Sequence, residues 1–209
     1  MKGTTLRLIG MLDSPYVRRV AISLKVMALP FEHQSLSVFR NFDAFAKINP
    51  IVKAPTLVTD DGSVLLDSTL ILEYLERLAA PEQRLTPLDL ADHIRSQRAI
   101  GLALAACEKT VQIVYEFNLR PAEKQHQAWV DRVKGQLSAA YDLLEAEFAD
   151  VESWRLGSRP LQADITTAVA WRFTQDALPQ FVLAASYPAL SALSRRAEAL
   201  PEFIALSPD

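Results

Sequence analysis

The chain has 209 residues and a formal charge of −3, from 22 basic and 25 acidic side chains, and half of its residues are hydrophobic. Because neither sign of charge dominates, the composition argues against a nucleic-acid groove or a polybasic membrane patch. The single cysteine, Cys107, excludes an internal disulfide, a Cys-x-x-Cys redox pair and a cysteine-rich zinc site, and the three histidines are too scattered to predict a metal site.

The N-terminal residues do not have the pattern of a targeting segment. Residues 1–10 carry Lys2 and Arg7 and lead into Asp13, which does not fit a secretory signal peptide. No apolar run approaches the roughly 20 residues needed to span a bilayer. We therefore expect a cytoplasmic protein that binds neither membrane nor nucleic acid.

Strands and helices alternate in the first 80 residues. Strands are predicted at 5–9 and 31–36, and a helix between them begins at Ser14–Pro15 and ends before Pro30. The two strands should lie parallel through a crossover. There follow a weaker helix at 39–48, an antiparallel hairpin of residues 55–59 and 63–66, and a helix capped by Ser68. The apolar stripe expected to be buried in this last helix consists of Leu70, Ile71, Tyr74, Leu75 and Leu78.

The remainder of the chain predicts only helices. A proline-containing linker at 81–88 separates an N-terminal α/β domain, residues 1–80, from a C-terminal helical domain, residues 89–209. The helices of the second domain are predicted at 90–117, 122–149, 161–175 and 188–200. Cys107 lies in an alanine-rich helical stretch, where a buried, inert thiol is expected.

The first segment whose residues could bind or activate a ligand is Ser-Pro-Tyr-Val-Arg-Arg-Val at 14–20. A serine hydroxyl at the positive end of a helix can donate to a bound thiolate and lower its pKa. Taken alone, the segment is better explained as an ordinary helix start with proline in the first turn. Arg18 and Arg19 either add positive potential near a sulfur or pair structurally with acidic groups between the domains, and we favour the structural interpretation.

The second segment is Asn-Pro-Ile-Val-Lys-Ala-Pro-Thr-Leu at 49–57. Pro55 at the start of a strand predicts a turn, with a cis bond as one form, that turns the backbone of Ala54 towards an extended peptide. Lys53 beside it can meet a carboxylate. The alternative is an edge-strand proline next to a solvated lysine.

The third segment is Leu-Asp-Ser-Thr-Leu-Ile at 66–71. Ser68 at a helix N-terminus can hold an anion, and Asp67 can hold an ammonium group. Together they suit the two ends of an amino-acid zwitterion, although a simple cap explains the isolated segment. The order of the three segments implies one ligand, a small thiol peptide with a free amino-acid end.

These three segments, followed by a proline linker and a helical domain, resemble the glutathione S-transferase family over the whole chain. The resemblance implies a thioredoxin-like N-terminal domain and an all-helical C-terminal domain, and it is strongest to the bacterial serine-type branch near the plant tau and phi enzymes. It implies that Ser14 activates the glutathione sulfur, that Ala54 pairs with the cysteinyl backbone before a cis Pro55, and that Lys53 reaches the glycyl carboxylate. It further implies that Asp67 and Ser68 bind the γ-glutamyl end.

The chain departs from the family pattern at two positions. The residue before Ser68 is usually Glu, and here it is Asp67, one methylene shorter. In the helical domain, the capping box reads Leu161-Gln-Ala-Asp164, so Leu161 offers no hydroxyl, and we expect Asp164 to serve folding.

The predicted function is a detoxifying glutathione transferase that adds the thiolate of its co-substrate to a small hydrophobic electrophile, without a metal. On loop position and aromatic content, we expect the electrophile pocket to include Met11, Leu12, Tyr115 and Trp171. The resemblance also implies a homodimer whose third and fourth helices face the two-fold axis.

Two other functions remain open from the sequence. One is a glutathione-dependent peroxidase or redox enzyme, although a thioltransferase commonly needs a cysteine at the position of Ser14. The other is a non-catalytic protein-interaction module of the same fold. The presence of Lys53, Asp67 and Ser68 together argues against the second, because such a module needs no complete peptide site.

Overall fold

The computed structural model describes residues 6–208, which form a four-stranded sheet with helices and a separate helical unit. The predicted fold class, a thioredoxin-like domain followed by an all-helical domain, is confirmed. Thr5, the first residue of the first predicted strand, lies outside the described residues.

The sheet has the strand order β2-β1-β3-β4. The parallel pairing of β1 with β2 and the antiparallel pairing of β3 with both β1 and β4 agree with the predicted topology. The strands are β1 Leu6–Ile9, β2 Phe31–Gln34, β3 Thr56–Val58 and β4 Val64–Leu65.

The α-helices of the described chain fall close to their predicted positions, apart from a short last helix that the sequence did not predict. They are α1 Pro15–Val26, α2 Phe42–Ala46, α3 Ser68–Leu78, α4 Leu90–Leu119, α5 Gln127–Phe148, α6 Gln162–Ala177, α7 Pro188–Glu198 and α8 Pro201–Ile204. Short 3₁₀ turns occupy Pro81–Gln83, Ala122–Lys124 and Ala184–Ser186. None of the helices described here is both long and apolar enough to cross a lipid bilayer.

Helices α1 and α3 pack against each other beside the sheet. The buried stripe of α3 differs from the expected one, because Leu70 and Leu78 are 59% and 41% exposed. Ile71 and Leu75 are buried as expected, together with Ser68 and Leu72, and the spacing of these four residues defines one helical face.

The helical unit is built from α4, α5, α6 and α7, each of which packs against at least two of the others. Its core includes a buried hydrogen-bond network in which the Tyr141 hydroxyl donates to Thr174 Oγ1 at 2.6 Å, and Thr174 Oγ1 lies 2.7 Å from Thr110 Oγ1. Cys107 is buried in the same helix as Thr110. Burial is the main cause that raises the pKa of Tyr141 well above its ordinary value.

The described chain divides into one unit of residues 6–86 and 199–208 and a second unit of residues 87–198. The boundary near residue 86 falls inside the predicted linker, but the C-terminal residues were assigned from the sequence to the helical domain. They group with the α/β unit because Arg18 Nε donates to the Leu206 carbonyl at 2.9 Å and the Arg18 guanidinium lies 5.6 Å from the Phe203 ring centroid. Helix α8 therefore covers α1.

Candidate functional site

The three predicted ligand-binding segments meet at one edge of the sheet. Because β3 runs antiparallel to both neighbours, its first residues lie beside the end of β1 and beside the end of β4. Ser14 follows β1, the Lys53–Pro55 segment precedes β3, and Asp67 and Ser68 follow β4. Strand pairing thus brings together residues that are separated by more than 50 positions in the chain.

Ser14 is the N-cap residue of α1. Its backbone is extended, with φ −74° and ψ 121°, and its half-buried hydroxyl accepts a long 3.4 Å hydrogen bond from the Val17 N–H. The hydroxyl proton is therefore not used in this bond and can donate to an anion. No acidic residue lies in the first turn of α1, so the positive end of the helix adds to the attraction.

Gly10 joins the Ser14 loop to the neighbouring segments, a role that was not predicted from the sequence. Its φ is +136°, and a Cβ at this position would lie 2.6 Å from Val17 Cγ2 and 3.1 Å from Ala54 Cβ. Only glycine tolerates this backbone conformation and this close approach. A glycine directly after a predicted strand was the available sequence signal.

Strand β2 holds Gly10 from the other side. The Gly10 N–H donates to the Gln34 carbonyl at 3.1 Å, and His33 Nε2 lies 2.8 Å from the Gly10 carbonyl oxygen. Since a carbonyl only accepts, His33 Nε2 carries the proton in this contact. The loop that presents Ser14 is thereby fixed through both backbone groups of Gly10.

The Ala54–Pro55 peptide bond is cis, as the sequence analysis expected. The preceding loop is held by Thr56, whose Oγ1 donates to the Lys53 carbonyl at 2.7 Å and accepts from Asn49 Nδ2 at 2.9 Å. Val52 has a left-handed φ of 51°, which is rare for a β-branched residue. The loop is therefore defined by specific contacts, and the Lys53 side chain is exposed at its surface.

Asp67, and not Ser68, is the N-cap of α3, which corrects the sequence expectation. The backbone of Asp67 is extended and its Oδ1 accepts from the Thr69 N–H at 2.7 Å, so the carboxylate takes the capping role. The Leu66–Asp67 bond is also cis. Ser68 is the first helical residue, is 1% exposed and faces α1.

Arg18 and Arg19 both make structural contacts within the α/β unit, where the sequence analysis expected pairing between domains. Arg18 holds the C-terminal segment as described above. Arg19, which is 2% exposed, donates through Nη1 to Ser68 Oγ at 3.1 Å and to Thr69 Oγ1 at 3.3 Å. The guanidinium of α1 therefore supports the first turn of α3.

The four residues expected to line an electrophile pocket have different environments. Met11 is half-buried in the Ser14 loop, where its carbonyl accepts from the Ser14 N–H at 3.3 Å and its Sδ lies 3.2 Å from Arg40 Nη2. Leu12 is 7% exposed. In the helical unit, Tyr115 of α4 is 43% exposed.

Trp171 of α6 does not fit a pocket-lining role. It is 3% exposed, and its ring centroid lies 5.1 Å from that of Tyr141 and 5.5 Å from that of Tyr187. Both pairs are edge-to-face, the arrangement typical of aromatic cores. Trp171 belongs to the core of the helical unit, and aromatic content alone was a misleading signal.

The arrangement at the sheet edge provides a hydroxyl donor, a backbone segment before a cis proline, an exposed lysine and a carboxylate next to a helix N-terminus. The hydroxyl, the lysine and the helix N-terminus can each interact with an anionic group, and the carboxylate can interact with a cationic one. Within residues 6–208, no cluster of three or more His, Cys, Asp or Glu side chains is placed to hold a metal ion.

Two family models match the chain, one within each unit. One is described as "Glutathione S-transferase, N-terminal domain" and matches residues 8–83, and the other as "Glutathione S-transferase, C-terminal domain" and matches residues 127–196. Among curated proteins, the chain is 29% identical over 145 residues to the "Uncharacterized GST-like protein YibF" of Escherichia coli K12. That match covers 69% of this chain and 71% of the relative.

Solved structures of similar proteins contain glutathione or a derivative. A glutathione S-transferase from Methylobacterium radiotolerans, in complex with glutathione sulfonate, superposes with a TM-score of 0.90 at 27% identity and covers 98% of this chain and 95% of its own. A glutathione transferase family member from Pseudomonas fluorescens Pf-5 with bound glutathione has a TM-score of 0.85 at 29% identity, with 98% and 99% coverage.

Proposed function

This chain belongs to the glutathione S-transferase family, and we propose that it is a glutathione transferase that adds the glutathione thiolate to a small hydrophobic electrophile. The observation that carries the proposal is the meeting of three segments, at Ser14, Lys53–Pro55 and Asp67–Ser68, at one edge of the sheet. The glutathione ligands of the two similar solved structures support the choice of thiol peptide.

In this proposal, Ser14 stabilises the thiolate. A hydrogen bond to a charged group contributes about 1.5–3 kcal/mol. At about 1.36 kcal/mol per pKa unit, it lowers the thiol pKa by about one to two units from a free-cysteine value near 8.5. The thiol of the bound peptide is then largely ionised at neutral pH, with help from the α1 dipole.

The other two segments hold the peptide. The backbone of Ala54 pairs with the cysteinyl residue, and Lys53 meets the glycyl carboxylate. Asp67 binds the γ-glutamyl ammonium group through its carboxylate, of which Oδ1 also caps α3. Met11 is a pocket candidate on the Ser14 loop, where its carbonyl accepts from the Ser14 N–H at 3.3 Å.

We further propose a cytoplasmic homodimer, for which the exposed apolar residues Leu70 and Leu78 of α3 provide one face. A molar mass near 23.2 kDa, that of one chain, measured by light scattering over a wide concentration range would contradict the dimer.

Calorimetric titration with glutathione tests the binding site. We expect a dissociation constant in the millimolar range or lower. It should rise with salt concentration, because the protein binds the charged ends of glutathione. Asp67→Asn keeps the helix cap but removes the charge, so affinity should fall about tenfold. Lys53→Ala removes an exposed ion pair with the ligand and should raise the dissociation constant about two- to fivefold.

Lys47→Ala is the matched control, because Lys47 is an exposed lysine at the end of α2 outside the three segments. Its affinity should equal that of the parent. Parent-like affinity in both Asp67→Asn and Lys53→Ala would show that the assigned site is wrong. Absence of glutathione binding in the parent would reject the proposed function.

A further inference from the structure

Arg19 is a buried cation directly behind the first turn of α3. It is 2% exposed, and its Nη1 donates to Ser68 Oγ at 3.1 Å and to Thr69 Oγ1 at 3.3 Å. Both recipients are neutral hydroxyls, and Ser68 is itself 1% exposed. Helix α1 therefore carries Ser14 at its N-terminus and, five residues later, a guanidinium that contacts the opposite end of the site.

The chemistry of this contact determines which role the Ser68 hydroxyl plays in its hydrogen bond with Arg19. A guanidinium has only donors, so Ser68 Oγ must accept from Arg19, and its own proton is left to donate elsewhere. A hydroxyl that accepts from a cation is polarised and becomes a stronger donor. The guanidinium also adds positive potential behind the helix N-terminus, which is itself a favourable place for an anion.

We propose that Arg19 is a positioning residue that selects the α-carboxylate of the ligand's γ-glutamyl group by orienting and polarising Ser68. The inference rests on the proposed glutathione site and adds to it the source of anion selectivity at the start of α3. Because Arg19 acts on the glutamyl end, it does not set the pKa of the thiol.

The test compares two ligands by calorimetry, glutathione and 4-aminobutyryl-cysteinyl-glycine, which lacks only the glutamyl α-carboxylate. Arg19→Met should raise the dissociation constant of glutathione about tenfold or more. The same variant should change the dissociation constant of the analogue less than about threefold. The kcat at saturating glutathione and the apparent thiol pKa should stay at the parent values.

Arg18 supplies the matched control, because it is equally buried in the same helix and holds the C-terminal segment. Arg18→Met should lower thermal stability and leave the dissociation constants of both ligands unchanged in the folded protein. An equal loss of both ligands in Arg19→Met would show a merely structural role and overturn the proposal. Parent-like glutathione affinity in Arg19→Met would overturn it as well.

A double-mutant cycle tests the route through Ser68 and uses Arg19→Lys, which keeps the charge and is the safer variant for folding. Ser68→Ala and Arg19→Lys should each weaken glutathione binding, and the double variant should lose less than the product of the two single losses. If the two losses of affinity multiply in the double variant, Arg19 does not act through Ser68, and the proposal is contradicted. If the parent binds neither ligand, the proposed function itself is wrong; if it binds glutathione and the variants behave otherwise than expected, only the role of Arg19 is rejected.

Discussion

Gly10 determines how closely the Ser14 loop approaches the proline loop. A methyl group at this position would meet Val17 Cγ2 at 2.6 Å and Ala54 Cβ at 3.1 Å, and the backbone φ of +136° is unfavourable for any residue with a Cβ. The geometry of both segments therefore depends on the absence of one side chain.

We expect Gly10→Ala to lower the free energy of unfolding by about 2–5 kcal/mol, because backbone strain and overpacking add. The folded fraction should also bind glutathione more weakly, since Ala54 is displaced. Gly135→Ala is the control, because a Cβ there meets nothing within 4 Å in an exposed part of α5. It should stabilise the protein by about 0.5–1 kcal/mol. Denaturant unfolding measures both, and equal stability of the two variants would contradict this account of Gly10.

At the residue scale, the sequence was most informative for candidate site residues that belong to a short motif of neighbouring residues. Ser14 before a proline, Pro55 before a strand and Asp67 before a helix all have local signatures, and the structure places them together. The cap of α3 was predicted to be Ser68 and not Asp67, because Asp and Ser are both good N-caps and these two residues are adjacent. It did not identify the Arg19–Ser68 contact, which joins positions 49 residues apart and depends on helix packing.

Helix α6 begins without a side-chain cap on Leu161, and the buried Asp164 compensates for this. Its Oδ2 accepts from the Leu161 N–H at 3.0 Å and its Oδ1 accepts from the Arg155 N–H at 2.9 Å. Burial raises the pKa of Asp164, while these two hydrogen bonds oppose the shift. The expectation that Asp164 serves folding agrees with these contacts.

Asp164→Ala should lower the free energy of unfolding by about 2–5 kcal/mol, because two half-buried backbone donors lose a fully buried charged acceptor. Asp164→Asn should lose about half as much, since one carbonyl oxygen remains. The comparison variant is Asp89→Ala, which removes the exposed cap of α4, where Oδ1 accepts from the Asp92 N–H at 3.0 Å, and should cost about 1 kcal/mol. A loss in Asp164→Ala no greater than in Asp89→Ala would refute the structural role.

At the element scale, periodicity located the helices of the described chain but did not choose the buried face of α3. Leu70, Tyr74 and Leu78 are spaced by four residues, as are Ile71 and Leu75, so two apolar stripes compete. Packing against α1 selects the stripe that contains Ser68 and Ile71. In the other stripe, Leu70 and Leu78 are exposed and form the face proposed for the dimer, whereas Tyr74 is half-buried.

At the scale of the whole chain, composition and the change from alternating elements to helices predicted two units and a boundary inside the linker. The sequence could not predict that residues 199–208 return to the α/β unit. The hydrogen bond from Arg18 to Leu206 joins residues 188 positions apart, and no local pattern reports such a contact. Pro201 signalled only that α7 ends and a new segment begins.

The central claim is that the hydroxyl of Ser14 stabilises the thiolate of bound glutathione, and a pH titration of thiolate absorbance in the parent and in Ser14→Ala tests it most directly. We expect nearly equal glutathione affinity, because the charged ends are held elsewhere, and an apparent thiol pKa about one to two units higher in the variant. The loss in kcat/KM with a generic electrophile should be largest near neutral pH and shrink as pH rises, because the thiol then ionises unaided. An unchanged pKa would contradict the claim, and an equal loss of rate at every pH would instead indicate damage to α1 through its lost cap.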